Sequence, residues 1–179
     1  MVYKSYYSSP IGSLMLTSEG DSLSGLWMEG QKYFAASVKD ELEEKSDLSI
    51  FSAAKEWLDS YFGGREPSIS DLPLAPDGGF FRHTVWTILC EIPYGRCITY
   101  GQIAKETALR RNKSSMSSQA VGGAVGHNPI SIIIPCHRVV GTNGSLTGYA
   151  GGIEKKKQLL GLEGVDLTHY FTPSRGTAL

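Results

Sequence analysis

The chain has 179 residues, 41% hydrophobic and 20% charged, with a formal net charge of -1. That length holds one large domain or two small ones; no run approaches the roughly 20 apolar residues of a membrane span, and Met1-Val2-Tyr3-Lys4 does not open a signal peptide, so a cytoplasmic protein is expected. The small net charge hides a division: residues 1–80 carry 6 Lys or Arg against 13 Asp or Glu, residues 81–179 carry 11 against 5, so any phosphate-binding surface is expected beyond residue 80.

In chain order, residues 2–8, 14–18 and 23–28 read as short strands, with turns at Pro10-Ile11-Gly12 and Glu19-Gly20-Asp21, the pattern of an antiparallel meander. Helices are predicted over 32–44 and 52–61; the second places Phe51, Ala54, Leu58, Tyr61 and Phe62 on one side. Trp27 and Trp57 are expected between the sheet and these helices. Residues 63–79 have linker composition, which predicts a first domain over 1–75, a second over 80–168 and a tail over 169–179.

Past the linker, Phe81, Val85, Trp86, Ile88, Leu89 and Ile92 recur at helical spacing until Pro93-Tyr94-Gly95, with Cys90 inside as a core residue. Thr99 followed by Gln102 has the form of a capping box, predicting a short helix from Tyr100 to about Thr107. A basic connector, Arg110-Arg111-Asn112-Lys113-Ser114-Ser115, leads to a second helix over 117–126 with small side chains at Ala120, Gly122, Gly123, Ala124 and Gly126. This is a helix-turn-helix pattern. Each glycine weakens a helix by up to about 1 kcal/mol relative to alanine, so a close backbone is expected there, belonging either to the protein itself or to DNA. Asn128-Pro129 ends the helix, residues 130–134 predict a short buried strand, residues 141–152 a glycine-rich loop, and residues 153–162 an amphipathic helix followed by Glu163-Gly164.

The chemistry centres on Ile134-Pro135-Cys136-His137-Arg138-Val139-Val140. Cysteine reacts as thiolate, and nearby imidazole and cationic groups raise the ionised fraction. Cys136 alone could equally be a small apolar plug at a strand end. The three cysteines form neither a CxxC pair nor a disulfide framework, which suits a reducing compartment and a persistent thiol.

Together, Pro135-Cys136-His137-Arg138-Val139, Ala120-Val121-Gly122-Gly123-Ala124 before Asn128-Pro129, Ile98-Thr99-Tyr100, Gly148-Tyr149-Ala150-Gly151-Gly152 and Leu159-Leu160 leading to Glu163-Gly164 resemble the methylated-DNA–protein-cysteine methyltransferases. Ser9-Pro10-Ile11-Gly12 and Leu26-Trp27-Met28-Glu29-Gly30-Gln31 look like the family's first domain. The resemblance implies an α/β (α+β) fold: a ribonuclease H-like N-terminal domain with a small antiparallel sheet and helices, and a mostly helical, winged helix-turn-helix-like C-terminal domain. It implies an enzyme that moves an alkyl group from O6-alkylguanine, or O4-alkylthymine, in double-stranded DNA to its own cysteine, once and irreversibly, after flipping the base. Cys136 would be the acceptor, His137 would take its proton through a water, and Glu163 would orient the histidine. Asn128 would tie the recognition helix to the active-site segment, and Tyr100 would help rotate the nucleotide and donate a proton to the departing guanine. Gln119, Ala120, Gly122, Gly123, Arg138, Arg110, Arg111 and Lys113 would contact DNA; Tyr149, Ala150, Val139 and Lys156 would line the substrate pocket. The resemblance implies no cofactor, no metal and a monomer.

Several positions depart from that family's pattern. Gln119 stands where many members have an intercalating arginine, the connector before the second helix is longer, and Ala150 replaces a serine found in some members. Residues 1–80 contain no cysteine for the zinc site of some relatives. Three other readings compete: a non-repairing binder of alkylated bases, against which Cys136 argues; a thiol hydrolase, which leaves the helix-turn-helix unused; and a transcription regulator, for which no further domain is present.

Overall fold

The computed structural model describes residues 1–174; the last part of the expected tail, 175–179, lies outside the described residues. The chain divides into two compact units, one of residues 1–78 with 129–133, the other of residues 79–128 with 134–179. The mixed α/β class expected from the sequence holds.

In the first unit, β1 (Val2–Ser9), β2 (Gly12–Ser18) and β3 (Leu23–Met28) form the antiparallel meander. A fourth strand, β4 (Leu42–Glu44), joins parallel to β1, giving the order β3-β2-β1-β4. It lies in the segment expected to be helical over 32–44. Residues 32–37 instead make turns, with Tyr33 and Ala35 in the left-handed region at φ 58 and 52. That run has no continuous apolar stripe to bury, so pairing of Leu42 with Val2 prevails over helix propensity.

The second expected helix is α1 (Ser49–Phe62), which buries Phe51, Ala54, Leu58 and Tyr61 at helical spacing. Trp27 and Trp57 are both buried, and Trp57 stacks on Tyr61 at 5.6 Å while its indole N–H donates to the Ser68 carbonyl at 2.9 Å. The expected linker, 63–79, is packed rather than loose: it makes a 3-10 turn at Ile69–Asp71, buries Leu72, and hydrogen-bonds Pro73 and Ala75 to Leu23.

The buried strand expected over 130–134 is also corrected. Leu26 of β3 donates to Pro129 and accepts from Ser131, a single bridge, after which the chain turns through Ile132 at φ 70. A short apolar run signals burial without fixing conformation, and Ile130, Ile132 and Ile133 are indeed buried. A β-branched residue at positive φ is strained and needs its surroundings to hold it.

The second unit contains α2 (Phe80–Cys90), a two-residue strand β5 (Ile98–Thr99), α3 (Tyr100–Arg110), α4 (Ser118–Gly126), a second two-residue strand β6 (Val139–Val140) and α5 (Ile153–Leu162). β5 and β6 pair in parallel, Ile98 with Val139. The capping box predicted at Thr99 and Gln102 is present in both directions and starts α3, which runs three residues past the expected end. Ser117 caps α4 by accepting from Ala120 N–H, and the Trp86 indole of α2 donates to the Ala124 carbonyl of α4 at 2.9 Å. Val140, Leu146 and Leu160 form a buried cluster against which Tyr170 of the tail packs. Phe171 donates to Gly144 and accepts from Leu146, so the described part of the tail is fastened to the glycine-rich loop. Among the described residues no helix is long and apolar enough to cross a membrane.

Candidate active site

Cys136 lies on a 3-10 turn, Cys136–Arg138, immediately before β6, and all three side chains of the turn are buried. β6 anchors the end of the turn through its pairing with β5. Its start is anchored by Ile134, whose carbonyl accepts from Cys136 N–H at 2.8 Å and from the Asn128 side chain at 2.8 Å. Asn128 follows α4, so one buried amide connects the end of that helix to the cysteine turn.

α5 supplies the other side. Lys156, Leu160 and Glu163 fall at positions i, i+4 and i+7, which share one helix face, and all three are buried. His137 Nε2 and Glu163 Oε1 are 2.6 Å apart. Arg138 donates from Nε to Glu163 Oε2 at 2.9 Å and from Nη2 to Oε1 at 3.0 Å, and the Gly95 N–H donates to Oε2 at 3.1 Å. Burial favours the protonated carboxyl, yet the His137 and Arg138 bonds outweigh it and hold Glu163 down at about 2. His137, fully enclosed, is pushed below the ordinary imidazole range by burial, with Glu163 pulling the other way. A neutral ring bonded to a carboxylate through Nε2 carries its proton there, which leaves Nδ1 as the acceptor.

The thiol differs from the sequence expectation of ready ionisation. Burial raises Cys136 above the ordinary thiol range, outweighing the Asn128 hydrogen bond and the Lys156 charge that favour thiolate. The resting group is therefore S–H. Lys156 is itself lowered to about 8 by burial, and its ammonium donates to the Val139 and Thr147 carbonyls.

Tyr149 is buried, with its ring edge-on to His137 at 6.5 Å. Ala150 is half-buried and Val139 fully buried. Tyr100, first residue of α3, donates its hydroxyl to the Gly148 carbonyl at 2.8 Å and reaches Thr147 at 3.2 Å. Burial raises this phenol, so it stays a donor at neutral pH. A Cβ on Gly148 would lie 2.6 Å from that hydroxyl, and the residue sits at φ +76, so two requirements coincide on glycine.

The residues expected on DNA are distributed unevenly. Gln119, Ala120, Gly123 and Lys113 are exposed, and Gly122 is half-buried against the Tyr100 ring. A Cβ at Gly123 would meet no atom within 4 Å, so packing within the described residues does not explain that glycine. Arg110 is held by Glu91 through both Nη atoms and by Glu106 at 2.7 Å, and Arg111 lies over the Phe80 and Phe81 rings at 5.0 and 5.5 Å. Arg138, expected among the DNA-contacting residues, is 7% exposed and bonded to Glu163 and to the Ile92 carbonyl. Sequence reasoning did not anticipate that pairing, nor the part of Gly95. The available signal was a guanidinium between a histidine and two valines, a setting that calls for a buried carboxylate.

Residues 80–165 match the family described as 6-O-methylguanine DNA methyltransferase, DNA binding domain, and residues 2–76 match its ribonuclease-like domain. The chain belongs to the 6-O-methylguanine DNA methyltransferase family, whose members include relatives named methylated-DNA–protein-cysteine methyltransferase. Such a relative from Haemophilus influenzae is 41% identical over 162 residues, covering 90% of this chain and 86% of its own. One from Methanosarcina acetivorans is 43% identical over 164 residues, covering 91% and 99%. Among solved structures, the Mycobacterium tuberculosis O6-methylguanine methyltransferase aligns with TM-score 0.78 at 40% identity over 94% of this chain and 98% of that one. The Mycobacterium tuberculosis OGT in complex with DNA aligns with TM-score 0.78 at 38% identity over 94% of each chain.

Proposed function

We propose that the protein repairs alkylated DNA by transferring the alkyl group of O6-alkylguanine, and of O4-alkylthymine, to Cys136, one lesion per molecule. The observation that carries this reading is the buried sequence of thiol, imidazole and carboxylate: Cys136 beside His137, whose Nε2 lies 2.6 Å from Glu163. The alkyl carbon of a stacked base is out of reach of a buried sulfur, so the nucleotide rotates out of the duplex towards Tyr149, with Val139, Lys156 and Ala150 as the expected lining of the bound base. Gln119 on the exposed side of α4 fills the gap and bonds the orphaned cytosine, while Lys113 and the α4 backbone near Gly123 approach the phosphates.

In the step itself, the thiol proton passes to His137 Nδ1 through a bridging water. The sulfur forms a bond to the alkyl carbon as the carbon–O6 bond breaks, and the electron pair leaves on guanine, which takes a proton from the Tyr100 hydroxyl; the phenol is restored by the proton held on His137, passed back through water, so the sum is one proton moved from sulfur to guanine. Glu163 stabilises the imidazolium that forms. Lys156 supports the developing thiolate by its charge. The product thioether has no good leaving group, so the protein is consumed.

Intact mass after mixing with an O6-methylguanine duplex tests the reading. One added methyl per protein, absent in Cys136→Ala, is the expected result. Tight binding with unchanged mass would mark a recognition module instead and end the repair reading.

A further inference from the structure

We infer that Arg138 is a positioning residue of this site, whose bidentate hold on Glu163 leaves His137 as an uncharged imidazole able to take the Cys136 proton. The inference rests on the alkyl-acceptor reading and concerns a residue outside the expected relay. Arg138 Nε and Nη2 reach the two oxygens of Glu163 at 2.9 and 3.0 Å, and Nη1 donates to the Ile92 carbonyl at 2.6 Å. The guanidinium also faces the Tyr94 ring at 5.7 Å, and the Tyr94 hydroxyl reaches the Leu162 carbonyl one residue before Glu163. The fork is thus built in from both sides, and its side chain is only 8% exposed against 0% for Glu163. Nothing in this arrangement requires DNA.

Charge counting explains what it does. A buried carboxylate 2.6 Å from an imidazole, with no other cation bonded to it, favours a proton on both ring nitrogens. An imidazolium has two donors and no acceptor, so it cannot receive the thiol proton. With the guanidinium on the same carboxylate, the Arg138–Glu163 pair is already neutral, and the buried Lys156 ammonium adds a cation, so a further positive charge in the enclosed site is unfavourable before the reaction begins. During transfer the proton that leaves sulfur creates the imidazolium at the moment a negative charge develops on the thiolate and then on guanine, so the net charge of the site does not change.

The groups acting on His137 include Glu163, Arg138, Lys156 and the Tyr149 ring; Glu163 also acts on the Cys97 thiol. Burial contributes most to keeping His137 neutral, Arg138 and Lys156 act in the same sense, and Glu163 opposes them. Of the two cations, Arg138 is the one bonded to the carboxylate, whereas Lys156 donates to the Val139 and Thr147 carbonyls.

The test is the methyl-transfer rate constant, read by intact mass as a function of pH, for the unaltered protein, Arg138→Met and Arg138→Lys. Removing the positive charge raises His137, so the acid limb of the Arg138→Met profile moves to higher pH by about 1–3 units, while Arg138→Lys keeps the limb in place. An Arg138→Met limb coincident with that of the unaltered protein, or an Arg138→Lys limb displaced equally far, overturns the inference. Should Arg138→Met not fold, Arg138→Gln takes its place, and the ring nitrogens of His137 are followed by nuclear magnetic resonance as pH falls. Protonation of the ring at a higher pH than in the unaltered protein supports Arg138's part, and protonation at the same pH refutes it. An unaltered protein that transfers no methyl sinks the repair reading separately, whatever the ring reports.

Discussion

Glu163 keeps its charge inside the protein because His137, Arg138 and the Gly95 N–H all donate to it. Since its folded value, about 2, lies below the ordinary carboxyl range, the unfolded chain takes up this proton first as pH falls. The associated stabilisation, on the order of 3 kcal/mol, is complete above roughly pH 4–5 and is lost on descent towards the folded value. His137 acts at higher pH in the same sense: its folded value is lowered, so stability declines once pH drops below about 6.5 and the unfolded histidine charges. Urea midpoints measured against pH should show both limbs in the unaltered protein, and Glu163→Gln should lack the lower one. The same substitution removes the group that stabilises the imidazolium, so methyl transfer should slow about 10²–10⁴-fold, as expected for loss of acid–base assistance, while Cys136 remains present to react. At this scale the sequence identified Cys136, His137 and Glu163 as candidates through their motif, but not the state of the thiol. Burial, which raises Cys136, is a property of the fold and leaves no mark in the tetrapeptide.

Helix ends and helix faces account for how the elements present the site. The reciprocal bonds of Thr99 and Gln102 begin α3 at Tyr100, so the cap fixes where the phenol stands. Thr99→Ala should cost about 1 kcal/mol in chemical denaturation, with a larger proportional loss of transfer rate than of stability because Tyr100 shifts. On α4, Gly123→Ala should raise stability by about 0.5–1 kcal/mol, since alanine is the better helix former and its Cβ meets no protein atom within 4 Å. If that face carries DNA as proposed, duplex affinity in the same variant should fall. A parallel rise of stability and affinity would place the DNA elsewhere. Caps and helical stripes were legible before the structure because they are local. β4 was not, because its pairing with β1 joins residues about 40 apart in sequence, and no propensity in 42–44 announces it.

For the molecule as a whole, the charge asymmetry directs any phosphate contact to the part of the chain beyond residue 80. Its connector cations are not equivalent. Arg110 is bound by Glu91 and Glu106, and Arg111 lies over two rings, while Lys113 is exposed. Binding to an unmodified duplex should weaken steeply with salt, and Lys113→Ala should lessen the slope of log affinity against log salt by about 0.9. Arg110→Ala should change that slope less, since its guanidinium already has carboxylate partners.

By itself the sequence determined the meander, the helices α1 to α5, the capping box and the order of motifs around Cys136, because each is written in neighbouring residues through periodicity, turn chemistry or a contiguous signature. Only the tertiary structure decided that residues 130–133 turn beside β3 instead of forming a strand, that 63–79 packs, and that Arg138 is buried on Glu163. Those outcomes depend on which groups burial brings together from distant parts of the chain. The desolvation that protonates Cys136 at rest and neutralises His137 exists only once that enclosure has formed.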